Sequence, residues 1–418
     1  MTLGSPTAVR RLSAALVPCC SAPTRLSTLY RASLGPRTSV SVSAASALRA
    51  PTTASPALAI GLRHHRTSAA AMASSREMIP STRIRVLRSV DAVRQWRRPH
   101  AADQRIVALV PTMGALHAGH ESLIRAAARE NHHVVVSIYL NPAQFGVHED
   151  LDSYPVTWDA DVARLAALDR ELADDGVNMG RISAVFAPAT KDMYPAGFPG
   201  QEVASKGSFV TITPVSDVLE GASRPTFFRG VATVCMKLFN AVQPNRVYFG
   251  QKDVQQTVVI KTMVRDFLMP IDVVVGATQR EPDGLALSSR NVYLGARRRA
   301  AAIVLNRALQ AAERKICDDG VVDRASVMAA AMDVMERTQA YQQTLKPSER
   351  VQFTLDYLSL ADPASMQEIE VVDVAKGAVL SGAVKFLPVE EPQEGEDLGH
   401  SGGPAVRLID NIIVAGRE

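Results

Sequence analysis

From Ile84 onward the chain alternates short apolar runs with helix-length amphipathic stretches. The run HVVVSIYL, His133–Leu140, is brief and β-branched, as expected of a strand buried on both faces of a parallel sheet. Gln104–Thr112 (QRIVALVPT), Ala184–Phe186, Arg246–Phe249 and Ile271–Val275 have the same character, while Glu121–Glu130, Asp159–Leu172, Arg229–Ala241 and Val254–Phe267 have helical spacing. Strand and helix in alternation predict a doubly wound parallel α/β sheet reaching to about Arg290. Beyond Asn291 the pattern changes. An Ala-rich helix is predicted over Ala296–Cys317 and a second over Arg324–Thr338, followed by strands at Thr354–Leu360, Glu370–Val374, Ala383–Leu387 and Arg407–Val414, a smaller α+β domain. Glu390–Gly403 (EEPQEGEDLGHSGG) is acidic and Gly-rich without apolar period, and reads as a solvated loop insertion rather than a binding element. The expected division is a leader over 1–83, a catalytic α/β domain over 84–290 and the small domain over 291–418.

Composition changes this picture mainly at the amino terminus. The 418 residues suffice for two or three domains, and no apolar run approaches the roughly 20 residues of a membrane span. Residues 1–76 hold nine Arg, no Lys and no acid, leaving 37 basic residues against the chain's 42 acidic ones, so the body carries a net charge of −5. A body of that sign lacks the basic face that nucleic-acid binding needs. The leader, rich in Ala, Ser, Thr and Arg, has the composition of a mitochondrial transit peptide, with a disordered tail or a start at Met72 or Met78 as alternatives. Mitochondrial and cytoplasmic locations both stay open. Of four cysteines, Cys19 and Cys20 lie in the leader, and Cys235 and Cys317 are isolated, so neither a disulfide framework nor a zinc site is indicated.

Candidate chemistry sits at the turns that follow the predicted strands. In Met113–His120 (MGALHAGH) two histidines three apart stand where strand gives way to helix, and Gly114 and Gly119 permit close backbone approach. His117 and His120 would face one side and could donate to phosphate, kept neutral by the helix dipole; a Gly-rich turn with two surface histidines is the plainer alternative. Gly250–Asp253 (GQKD) puts Lys252 and Asp253 at the carboxyl end of a strand, as a phosphate and ribose contact or as a plain turn with an ion pair. Leu287–Asn291 (LSSRN) offers two hydroxyls and a guanidinium that could clamp a polyphosphate, or alone could cap a helix. Asn141 and Gln144 in NPAQF, with Gln255 and Gln256, supply uncharged donors and acceptors suited to a small hydroxylated acid whose carboxylate must stay nucleophilic; each taken singly could cap a loop. HxGH followed by a basic Ser-rich loop in one α/β domain is the pattern of nucleotidyltransferases that cleave ATP between the α and β phosphates. Neither a Walker A motif nor GxGxxG occurs.

PTMGALHAGH, NPAQF, Tyr154–Pro155, MYP at Met193–Pro195, LEG with RPTFFRGV at Leu219–Val231, FGQKDVQQ, DGLALSSRN and RLIDNI at Arg407–Ile412 occur in the order found in the AMP-forming pantoate-beta-alanine ligases, which the chain resembles over Ile84–Ile412. The resemblance implies a Rossmann-like nucleotidyltransferase domain, a small carboxy-terminal lid and a homodimer, while the acidic body and the lack of a long apolar run are what speak against a nucleic-acid or membrane partner. It implies that pantoate attacks MgATP to give pantoyl adenylate, from which β-alanine displaces AMP. By resemblance, ATP contacts fall on Met113, Gly114, Ala115, Leu116, His117, Ala118, Gly119, His120, Gly250, Gln251, Lys252, Asp253, Gln279, Leu287, Ser288, Ser289 and Arg290. His117, His120, Lys252, Ser288, Ser289 and Arg290 would be catalytic, with His120 matching the proton donor. Gln144, Gln256 and Asn141 would hold pantoate, Gln144 also β-alanine, and Asp161 would stand near Mg2+.

The chain departs from the family pattern at Gln251, where Glu is usual, at Leu287 for Met, at Gln279 for an aliphatic residue and at Phe227 where many bacterial members have His. Stretches around Asp174–Arg181, Gly197–Ser208 and Glu390–Gly403 have no counterpart in compact members. Another HxGH enzyme, such as a cofactor adenylyltransferase or an aminoacyl-tRNA synthetase, and a non-catalytic nucleotide-binding subunit are the competing classes. NPAQF, the acidic body and the retained His117, His120, Lys252 and Arg290 argue against them.

Overall fold

The structure, a computed structural model, describes residues 77–147 and 149–416. The leader expectation for residues 1–76 lies outside the described residues. The described chain joins the sheet region ahead of Ile84: Ile79 is buried and the Val86 amide donates to the Glu77 carbonyl.

The first six strands are β1 (Arg85–Leu87), β2 (Val107–Thr112), β3 (His133–Ile138), β4 (Arg181–Phe186), β5 (Arg246–Gly250) and β6 (Asp272–Gly276). They form one parallel sheet in the order β1-β4-β3-β2-β5-β6. The helices between them are α1 (Val90–Ala102), α2 (Ala118–Glu130), α3 (Trp158–Asp174), α4 (Phe227–Val242) and α5 (Val254–Asp266). Strand alternation sorts the apolar side chains into two layers. Val107 and Leu109 of β2 pack with α1, α4 and α5, whereas Ala108 and Val110 pack with α2 and α3. The chain walks outward from β2 through β3 and β4, then returns to lay β5 on the other side of β2. That reversal opens a crevice at the carboxyl ends of β2 and β5, where ligands bind in open α/β sheets.

After β6 come α6 (Gly295–Ala301), α7 (Val304–Cys317), α8 (Arg324–Thr344) and an antiparallel sheet of β7 (Phe353–Ala361), β8 (Gly377–Phe386) and β9 (Val406–Ala415). This part has its own apolar core, with Leu305 and Leu309 of α7 and Val327 and Met335 of α8 against the sheet. Two expectations are corrected here. The single helix over Ala296–Cys317 is two, α6 and α7, broken at Ala302–Ile303. Glu370–Val374 is no strand: only Val371 and Asp373 make isolated bridges, and the segment pairs with the chain just before α8, the Val372 amide donating to Val322 O and the Arg324 amide to Glu370 O. Glu390–Gly403 is, as expected, a loop whose residues are mostly exposed. The buried Arg298 guanidinium donates to the carbonyls of Leu387, Leu398 and Pro404, and Arg297 pairs with Glu396, so the loop is pinned to α6 by arginines.

Candidate active site

The MGALHAGH segment leaves β2 and folds back on itself before α2. Thr112 ends the strand by donating its hydroxyl to the Ser137 carbonyl at 2.7 Å and accepting the Gly114 amide. Ala115 has φ of 50°, a left-handed conformation unfavourable for a residue with a Cβ. Asp161, on α3, holds it there: its two oxygens accept the Ala115 amide at 3.0 Å and the Leu116 amide at 2.7 Å, and it is 1% exposed. In the structure Asp161 is thus the brace of this loop. Both oxygens are occupied by backbone donors, and among the described residues no three His, Cys, Asp or Glu side chains group to hold a metal ion.

His117 caps α2. Its Nδ1 accepts the Gly119 amide at 3.1 Å, while His120 Nδ1 accepts the His117 amide at 3.4 Å, a reciprocal capping box built from two imidazoles. The rings lie 4.1 Å apart between centroids. A Cβ at Gly119 would sit 2.8 Å from His117 Cε1, so the capping ring needs glycine there. Burial, followed by the charge of Lys252, lowers the His117 pKa to about 4; burial, His117 and Lys252 lower that of His120 to about 3. Both rings are thus neutral near pH 7, and because each Nδ1 is an acceptor, each Nε2 carries the proton. Burial is the first cause of their neutrality.

Lys252 and Asp253 lie in the one-turn helix Gln251–Asp253 between β5 and α5, their charges 3.8 Å apart. Ser288 caps the short helix Ser289–Tyr293 by accepting the Arg290 amide, and Ser289 shares a hydrogen bond of 2.8 Å with the Tyr154 hydroxyl. Arg290 grips Asp150 with two hydrogen bonds of 2.9 and 2.8 Å. Burial opposes the charge on Arg290, yet the Asp150 pair holds its pKa above the ordinary value. Here the guanidinium is committed to a carboxylate, so it meets a polyphosphate only by sharing or exchanging that partner.

The amides divide by role. Asn141 is 1% exposed and fully engaged: Nδ2 donates to Gln144 Oε1 at 3.0 Å and to the Gly230 carbonyl, and Oδ1 accepts from the Tyr194 hydroxyl at 2.7 Å. The expectation of Asn141 as a pantoate contact is corrected to that of a bracket which fixes the Gln144 amide with its nitrogen as the donor end. Gln255 is buried likewise, bound to Val215, Val218 and the Glu220 amide. Gln144 and Gln256 line the same pocket as His117, His120, Lys252, Gln279 and Leu287–Arg290, a space of about 220 Å3. It adjoins a cleft of about 770 Å3 between this site and β7–β9, with Lys252, Asp253, Gln256, Ser288 and Arg290 on both walls.

The family departures fall where they can be read. Gln279 contributes its backbone carbonyl, which accepts the Leu287 amide at 2.9 Å, while its side chain is exposed. Phe227 opens α4 with the Arg224 guanidinium 3.9 Å over its ring. In the stretch 197–208, Arg229 holds the carbonyls of Glu202 and Val203. Residues that carried no role in the sequence reading also shape the site: Asp150 on Arg290, Tyr154 on Ser289, Glu149 on Arg224, and the Arg407–Glu220 pair at 2.7 Å. All are long-range charge or hydroxyl pairs; NPAQF–YP and RLIDNI flagged their neighbourhood, not their partners.

The sequence model of the family described as pantoate-beta-alanine ligase matches residues 85–413. The chain is 42% identical over 330 residues to the pantothenate synthetase of Chloroflexus aurantiacus, covering 79% of this chain and 99% of that protein. It is 44% identical over 331 residues to that of Herpetosiphon aurantiacus, covering 79% of this chain and all of the relative. The crystal structure of pantothenate synthetase from Thermus thermophilus superposes with a TM-score of 0.61 at 36% identity, covering 79% and 100% of the two chains. A Francisella tularensis pantoate-beta-alanine ligase, solved with beta-gamma ATP and beta-alanine, gives 0.53 at 28% identity, covering 79% and 97%. With the crevice between β2 and β5 furnished as described and the family match spanning both sheets, the chain belongs to the pantoate-beta-alanine ligase family.

Proposed function

We propose that this chain condenses pantoate with β-alanine, converting MgATP to AMP and pyrophosphate through a pantoyl adenylate. The observation that carries this reading is the presence, in the lining of one small pocket, of a cation and N–H and O–H donors, from Lys252, His117, His120, Ser288 and Ser289, together with two uncharged amides, Gln144 and Gln256. A pantoate carboxylate oxygen attacks the α-phosphorus, and the bond from that phosphorus to the bridging oxygen of pyrophosphate breaks. Charge builds on the α-phosphoryl oxygens and the leaving group, where Nε2–H of both histidines and the Lys252 ammonium supply preorganised donors. The amide walls hold the pantoate hydroxyls without a guanidinium that would neutralise the nucleophile. The β-alanine amine, having lost its proton, then attacks the acyl carbon, the bond to AMP oxygen breaks, and the amide forms. Arg290, released in part from Asp150, is placed to meet the pyrophosphate.

Mg2+ belongs to this reading as part of the nucleotide substrate, since the described residues offer no carboxylate cage for it. The division into a catalytic domain over 84–290 and a lid over 291–418 is supported by the separate apolar core of the carboxy-terminal part. A homodimer, checked by sedimentation, and a leader that addresses the chain to the mitochondrion or leaves it in the cytoplasm, are carried forward on the resemblance and the leader composition alone. The decisive experiment is isotope exchange. Labelled pyrophosphate should enter ATP with pantoate and Mg2+ alone, without β-alanine, because the first half-reaction reverses while the adenylate is held. Exchange requiring an amino acid, or ADP as the product of the full reaction, overturns the reading.

A further inference from the structure

The turn that carries Lys252 leaves the sheet at the end of β5, so its carbonyls point away from the strand ladder and need donors from elsewhere. Those donors come from the carboxy-terminal sheet. Asn411, on β9 and 1% exposed, spends both amide hydrogens on adjacent carbonyls of this turn, 2.9 Å to Gln251 O and 2.8 Å to Lys252 O. Its Oδ1 faces the Gln251 side-chain amide at 3.4 Å. The amide is thus directed wholly at the two residues Gln251 and Lys252.

Asn411 is itself held in orientation. Its backbone amide donates to Asp410 Oδ1 at 2.8 Å; Asp410 accepts two hydrogen bonds from Arg280, at 2.6 and 2.9 Å, and one from Asn306. Arg280 also reaches the Asn411 carbonyl. The same two residues of β9 therefore grip both loops that flank the phosphate pocket, the Gln251–Asp253 turn and the segment after β6.

We propose that Asn411 is a positioning residue for Lys252, so that docking of β9 against the catalytic loops sets the lysine in register with the two histidines. The inference rests on the reading of Lys252 as a phosphate contact in adenylation. Two neighbouring carbonyls require two hydrogens at fixed spacing, which a primary amide supplies and a carboxylate cannot. With the amide gone, the turn keeps its covalent path but loses the anchor that fixes its backbone, and Lys252 moves relative to His117 and His120 while the pantoate wall at Gln144 and Gln256 stays put. The effect should therefore fall on the chemical step rather than on pantoate binding.

The test measures pantoate-dependent pyrophosphate exchange in the full chain and in Asn411→Ala, Asn411→Ser, Lys252→Ala and the Asn411→Ala, Lys252→Ala double variant. Asn411→Ala should lower the exchange rate about 10- to 100-fold with the pantoate KM little changed, and Asn411→Ser, which keeps one donor, should fall between. The double variant should be no slower than Lys252→Ala alone, because a residue acting through the lysine has nothing left to act on. In Asn411→Ala the His117 ring, held at about 4 by burial and then by the Lys252 charge, should titrate at a higher pH by NMR. If Asn411→Ala does not fold, the cycle is run with Asn411→Ser. Wild-type exchange rates in the Asn411 variants, or losses that multiply in the double variant, overturn the proposal; an unaltered chain that exchanges no pyrophosphate overturns the functional reading beneath it.

Discussion

His120 and Lys252 reach one pocket from two different strand ends, which gives the residue scale its sharpest prediction. His120→Ala or Lys252→Ala should each lower turnover by at least about 10²-fold with the far-ultraviolet circular dichroism unchanged, the loss expected when one preorganised donor is removed from a site of developing charge. Near-normal turnover in either variant would take that residue out of the chemistry. The histidines also predict how stability follows pH. Their folded pKa values, about 4 and about 3, lie below the ordinary 6.5 of the unfolded chain, so between these limits the unfolded state binds more protons. Stability linked to the neutral rings is full above pH 6.5 and is lost as pH falls toward 3. Denaturant midpoints of the wild type should therefore drop more between pH 7 and pH 5 than those of His120→Ala; equal drops would show that His120 is not buried in its neutral form. The histidine motif was legible because its two rings are close in sequence. The bracket roles of Asn141 and Asp161 were not, since each depends on partners, Tyr194 and Gly230 for one and the Ala115 and Leu116 amides for the other, that only the fold brings near.

At the scale of the element, α3 acts on the phosphate loop through one carboxylate. Asp161→Ala would leave the buried amide of Leu116 without an acceptor, at a cost of about 1–3 kcal/mol, strip the half-buried Ala115 amide of its partner, and free Ala115 from its left-handed conformation. The expected outcome is a lower melting temperature and weaker ATP binding with the Mg2+ concentration for half-maximal activity unchanged. A raised Mg2+ requirement in a chain of normal stability would give Asp161 the metal role instead. Five strands of the parallel sheet were legible: β2 to β5 because burial makes them nearly continuous apolar runs, and the half-exposed edge strand β6 because its Val273–Val275 run is β-branched. β1 and α1 were not. Three residues make too short a run, and α1 buries only Val93, Trp96 and Arg97 and contains Pro99. β8 was read six residues short for the opposite reason. Its first half, GAVLSG, looks like a break, yet the small residues allow close approach: a Cβ at Gly382 would lie 2.9 Å from Leu305 Cδ1 of α7.

For the whole molecule, the question is what the leader contributes. The relatives align over 99–100% of their own length while covering 79% of this chain, and the family match begins at residue 85, so the enzyme body of the relatives has no counterpart to the leader. Within the described chain, Ile79 fills the core layer beneath α2 and α3, and Glu77 accepts the Val86 amide. The body therefore needs the chain from Glu77 onward but draws no sequence-evident apolar period from the segment before it. A chain starting at Met72 keeps both contacts and should match the full-length protein in turnover and melting temperature. Starting at Met78 removes the Glu77 carbonyl, one hydrogen bond worth about 0.5–1.5 kcal/mol, and should lower stability by that amount while leaving turnover intact. Charge moves in a direction that makes the comparison clean: starting at Met72 removes eight arginines and no acid, changing the net charge from +4 to −4. A turnover that falls with the Met72 start would mean that the basic segment acts on the acidic body, either as structure or by drawing the anionic nucleotide in, and salt separates the two, since attraction of ATP weakens as ionic strength rises whereas packing does not.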